Sequence, residues 1–220
     1  MGPPPAVEHD PSGKNQGSKS FATKNIWAAQ GNSSMTKEQL AADLFSKDVL
    51  DFLMLLHKNG VRYLIVGGEA VIFHGYARLT GDIDFFYEAT PENVKRLYEA
   101  LREFWHGNVP GIDAAQEFLQ VGLVIQFGVP PNRIDLVNQI DGVKFEEAWR
   151  DKAIVRLKGA GLNDELIFYL GRKDLIQNKR AAGRPKDLDD LRFLVPCLFK
   201  TATKTRRLTA KNAKIAERTG

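Results

Sequence analysis

Asp82 and Asp84 stand one residue apart in the apolar segment DIDFFY, residues 82–87. In a β-strand successive side chains alternate faces, so both carboxylates point one way while Ile83 and Phe85 point to the core. Two carboxylates on one face repel each other unless a cation lies between them. Mg²⁺ and Mn²⁺ take hard oxygen ligands, commonly one or two carboxylates plus substrate phosphates. A later segment, RIDLV (133–137), sets a third carboxylate, Asp135, between Ile134 and Leu136. Asp113 and Asp141 are the alternatives, each outside a central apolar strand position. Upstream, Gly67 and Gly68 follow the apolar run RYLIV. Lacking Cβ atoms, they let backbone approach a phosphate closely, and a helix starting after them offers free N–H groups to an anion. Either signal alone is weak: a glycine pair is usually a turn, and an acidic pair often marks an exposed strand face. The joint order of strand, GG, short helix, loop and DxD points to phosphate and divalent-ion chemistry.

Several elements must position these groups. A helical region is expected from about Thr36 to Asn59, with Thr36 and Gln39 as a capping box and a second helix beginning near Lys47 under a Ser46 cap. Gly60 supplies its C-terminal stop. Strands follow at 62–66 and 82–87, with a short helix at 69–74 between them. Thr90-Pro91 opens a helix reaching about Phe104. A hairpin is expected from strands 123–127 and 133–137, joined by Gly128, Pro130, Pro131 and Asn132. A short helix at 145–149, strands at 153–157 and 166–170, and helices at 173–182 and 186–195 complete the ordered part. The fold class is therefore α/β in the α+β sense, a mixed sheet flanked by helices. Residues 1–34, rich in Pro, Gly, Ser and Asn, read as a disordered leader. Residues 35–170 read as the core, 171–199 as a helical segment packed on it, and 200–220 as a flexible basic tail.

VGG at 66–68 and DIDF at 82–85 resemble the signature of the DNA-polymerase-beta-like nucleotidyltransferase superfamily. That signature is a hydrophobic residue with Gly-Gly or Gly-Ser, then alternating acid and hydrophobic residues, with a third carboxylate on a later strand. A second block, DLIQNKRAAGRPKDLDDLRFL at 174–194, resembles the helical segment of small bacterial nucleotidyltransferases related to AbiEii-type toxins. The resemblance implies a mixed-sheet nucleotidyltransferase fold with Asp82, Asp84 and Asp135 as metal ligands. It implies Mg²⁺ or Mn²⁺ as cofactor and an NTP as co-substrate, bound near Gly67, Gly68, Arg78 and Thr80. Lys179, Arg184, Lys186 and Asp187 match the helical pattern. From late in a helix, Lys179 is expected to reach triphosphate oxygens as a mobile point charge. An RNA or tRNA acceptor and an antitoxin protein are the implied partners; a small molecule or a protein hydroxyl is an alternative acceptor. A catalytically inactive binding module on the same fold is the competing reading.

Composition removes other classes. No apolar run reaches the roughly 18–20 residues of a membrane span. Neither a Walker-type GxxxxGK[ST] nor a G-x-S-x-G elbow occurs, and no His/Cys group has zinc spacing. His74 follows an apolar helix face and reads as a core residue. Cys197 is the single cysteine, in FLVPCLF, and a buried reduced thiol points to the cytoplasm. The net charge of +4 is uneven: from Lys200 onward seven basic residues face one acidic, leaving −2 for residues 1–199. A third reading follows, nucleic-acid binding through that tail.

Overall fold

The computed structural model describes residues 38–130, 133–159 and 165–195. The expected leader and basic tail, and Cys197, lie outside the described residues. In chain order the elements are β1 (Glu38–Ala41), α1 (Lys47–Lys58), β2 (Tyr63–Val66), α2 (Gly67–Phe73), β3 (Asp82–Tyr87) and α3 (Pro91–Phe104). There follow β4 (Val124–Phe127), β5 (Arg133–Val137), α4 (Phe145–Arg150), β6 (Ala153–Lys158), β7 (Leu166–Tyr169), α5 (Arg172–Ala182) and α6 (Pro185–Leu194).

Among the described residues the strands form one mixed seven-stranded sheet in the order β1-β6-β7-β2-β3-β5-β4. The site-bearing strands β3 and β5 run parallel, flanked by antiparallel β2 and β4. Alternation along β3 divides its side chains as expected. Ile83 and Phe85 are buried, and Phe85 meets Phe52 of α1 edge-to-face at 5.3 Å. On the carboxylate face, Phe86 packs against Phe145 of α4 at 5.2 Å. The sheet is thus covered on both sides, as a half-hydrophobic strand in a layered fold requires.

Local signals set the helix ends. The Ser46 hydroxyl accepts from Val49 N, and Thr90 does the same for Asn93 N with Pro91 in the first turn. Asn93 is itself buried and ties the start of α3 to the strand edge, its amide donating to the Arg62 and Glu88 carbonyls at 3.0 and 2.9 Å. Gly183 closes α5 with a φ of 60°.

One expected element is corrected. Residues 38–41 are not helical; they form β1, paired in parallel with β6 from Glu38–Val155 to Ala41–Lys158. The open edge of β6 offers a full ladder of backbone partners, and such a ladder outweighs the helix preference of EQLA, four good helix formers in a run too short to hold a helix alone. A 3-10 turn, Ala42–Leu44, then leads to α1. A second 3-10 turn at Ala115–Leu119, not anticipated, buries Phe118 under α3.

Candidate active site

The floor of the site is the β3–β5 pair. Their register places Asp84 directly beside Asp135 and Asp82 beside Arg133. Because residues two apart share a strand face, Arg133 lies on the face of Asp135 and opposite Asp82. Its guanidinium uses that position fully. Nη2 donates to Asp82 Oδ2 at 2.6 Å and to Asp135 Oδ2 at 2.9 Å, while Nε donates to Asp135 Oδ1 at 2.8 Å. The Thr80 hydroxyl donates to Asp82 Oδ1 at 2.8 Å, and Gln126 on β4 donates to Asp135 Oδ2 at 3.0 Å.

Asp84 is the odd member of the three. Among the described residues its carboxylate receives no hydrogen bond. Burial, with the charges of Asp82 and Asp135 beside it, pushes its carboxyl up to about 6, against the pull of Lys179 and Arg133. A half-buried acid with like charges beside it gains from any cation that comes within reach.

The two glycines are fixed by how close these groups come. Gly67 has a φ of 60°, and a Cβ there would stand 1.9 Å from Asp84 Oδ2. A Cβ on Gly68 would stand 2.7 Å from Thr80 Oγ1 and 3.0 Å from Arg78 Nη2. Both glycines sit inside the first turn of α2 rather than ahead of it. The space they leave is taken first by a carboxylate and by the loop carrying Arg78 and Thr80.

The opposite wall is α5 and α6, joined by a buried charge network. Lys179 Nζ contacts Asp187 Oδ1 at 2.8 Å and Asp190 Oδ2 at 3.0 Å, with the three side chains 3%, 1% and 2% exposed. Arg184 Nε bonds Asp187 Oδ2 at 2.7 Å, and Arg78 Nε lies 3.1 Å from Asp190 Oδ1. Burial raises the Asp187 carboxyl, but hydrogen bonds from Arg184 and Lys179 outweigh it and hold the group below the usual carboxylate range. Asp187 also accepts from Arg184 N at 3.2 Å, the N-terminal cap of α6. Lys179 therefore stands as a twice-paired buried cation at the cleft wall, with one of its three N–H donors left over.

These walls enclose one cleft of about 990 Å³, within the range of small-molecule sites. All of the sequence-derived candidates line it: Gly67, Gly68, Arg78, Thr80, Asp82, Asp84, Asp135, Lys179, Arg184 and Asp187. Lys186 and Asp141 also line it; Asp113 does not. His74 packs away from the cleft, its Nε2 2.8 Å from the Leu170 carbonyl, and burial lowers its basicity. Arg133 and Gln126 are additions that the sequence reading lacked. Arg133 had a signal: it precedes Asp135 by two residues and so had to share its face.

The chemistry of the floor fits a hard divalent ion: three clustered carboxylates, one of them without a hydrogen-bond donor among the described residues. As the side chains stand, however, no group of three His, Cys, Asp or Glu among the described residues is arranged to hold an ion. Arg133 neutralises two of the three acids instead.

The model of the family described as "Nucleotidyltransferase of unknown function (DUF6036)" matches residues 47–194. The chain belongs to this family. No curated protein matches it. The nucleotidyltransferase match spans α1 through α6, and therefore every residue of the cleft, while β1 lies outside it. No helix among the described residues of this family member is long and apolar enough to cross a membrane.

Proposed function

We propose that the chain moves a nucleoside monophosphate from an NTP to an acceptor hydroxyl, with release of pyrophosphate. The observation that carries this reading is the trio of carboxylates in one cleft, with Asp84 in register with Asp135 and packed against Gly67, in a nucleotidyltransferase family member. Asp82, Asp84 and Asp135 would hold Mg²⁺ or Mn²⁺. Such an ion supplies charge neutralisation on the phosphates and acidifies the attacking hydroxyl. Gly67 and Gly68 keep side chains out of the phosphate path. Arg184, with 71% of its side chain exposed at the cleft, is placed to meet phosphate oxygens through its forked donors. Arg78 and Thr80 shape the opposing loop, and Asp135 would either hold the ion that acidifies the acceptor hydroxyl or act on it directly as base.

The acceptor follows from the toxin-like 174–194 block alone: an RNA or tRNA end, with a small molecule or protein hydroxyl as alternatives. A role as toxin of a toxin–antitoxin or phage-defence system, with an antitoxin partner, belongs to the same proposal. One observation favours a second reading. Arg133 satisfying Asp82 and Asp135 is also what an inactive nucleotide- or partner-binding module would show.

Purified protein incubated with Mg²⁺, α-labelled NTPs and total RNA separates the two. The expected outcome is a labelled acceptor with wild type and none with Asp84→Ala. Equal labelling by both would overturn the mechanism; nucleotide binding without turnover would favour the inactive module.

A further inference from the structure

The nucleotidyltransferase reading assigns Asp82, Asp84 and Asp135 to a divalent ion but leaves Arg133 without a role. We propose that Arg133 is a built-in counter-cation, which the incoming metal ion must displace from Asp82 and Asp135; this rests on that reading of the cleft.

Three observations carry it. The guanidinium makes its bonds to the carboxylate oxygens an ion would need: one to Asp82 and two to Asp135, all between 2.6 and 2.9 Å. A guanidinium and a divalent ion repel, so one pair of oxygens does not serve both at such distances. Second, those two acids are the partners that hold Arg133 among the described residues, and its side chain is 27% exposed at the cleft. Third, the substitution is incomplete. Arg133 satisfies Asp82 and Asp135 but leaves Asp84 without a hydrogen bond, so the ligand set keeps one acid ready for an ion. A guanidinium with five donors is well suited to occupying two carboxylates, and once displaced it remains in the cleft that Arg184 also lines, where phosphate oxygens would be the next acceptors.

Metal binding without nucleotide is then weak, because it must break three charge-assisted bonds, and removing the guanidinium strengthens it. The probe is Mn²⁺ alone, with free Mn²⁺ counted by electron paramagnetic resonance against wild type, Arg133→Gln and Arg133→Gln/Asp84→Asn, each checked for folding by circular dichroism. The expected result is at least a tenfold tighter site in Arg133→Gln that is lost again in the double variant. Binding by Arg133→Gln no tighter than wild type overturns the proposal and makes Arg133 a strut that orients the acids. Absence of binding in every folded variant overturns the metal-site reading itself, and the proposal with it. Should Arg133→Gln fail to fold, wild type still decides the question. Its Arg133 Nε–H resonance should shift or lose exchange protection as Mg²⁺ saturates the site; an unchanged resonance on a metal-loaded protein refutes displacement.

Discussion

Replacing Lys179 by Met tests whether that residue serves the fold or the substrate. The lysine sits between Asp187 and Asp190 at 2.8 and 3.0 Å, in a network almost closed to water. Removing one partner of a buried ion pair typically costs about 3–5 kcal/mol, because the surviving charge stays buried. Here each acid keeps an arginine, Arg184 at 2.7 Å and Arg78 at 3.1 Å, which places the expected loss at the lower end, about 3 kcal/mol. For a domain of this size that corresponds to a fall in melting temperature of about 6–12 °C. Urea denaturation followed by circular dichroism measures it directly. A Lys179→Met protein as stable as wild type, yet devoid of nucleotidyl transfer, would refute the structural role and make the lysine a substrate ligand.

Two further outcomes follow from the floor of the cleft. Asp84→Asn should stabilise the protein by on the order of 1–2 kcal/mol at pH 8. A carboxyl raised in the folded state costs stability increasingly as pH climbs from the ordinary 3.8 through about 6, so the gain should shrink below pH 6 and vanish near pH 4; thermal melts across that range check the sign. Gly67→Ala should cost roughly 1–2 kcal/mol for its left-handed backbone and drive a methyl group into Asp84, lowering transfer by about 10²-fold. Gly68→Ala should be milder, because Thr80 and Arg78 present movable side-chain ends to the new methyl group. Melting curves with transfer assays on both variants would separate the two positions.

Much of this fold is readable because local chemistry and burial agree. DIDFFY and RIDLV alternate acid and hydrophobe so strictly that strand, face and core side follow from the residues themselves. Ser46, Thr90-Pro91 and Gly183 mark helix ends through groups that satisfy backbone within a few residues. What escaped the sequence depends on distant partners. Residues 38–41 become a strand because β6, more than a hundred residues away, presents an edge. The engagement of Lys179 required knowing that α6 folds back over α5, bringing both Asp187 and Asp190 to its ammonium. The bridging by Arg133 required the β3–β5 register, which no single segment contains.

That register has a consequence for how the site persists through mutation. Sliding β5 by one residue against β3 would replace Asp135 with Ile134 or Leu136 beside Asp84 and turn the acids of one strand toward the apolar interior. Burying unpaired carboxylates there would cost far more than a marginally stable domain can lose. Ordinary purifying selection for a folded chain therefore guards the alignment of the three acids, even in a lineage where the chemistry itself has ceased to matter. Such a lineage would keep the register yet lose the acids themselves, Asp84 first, because its charge costs the folded state stability.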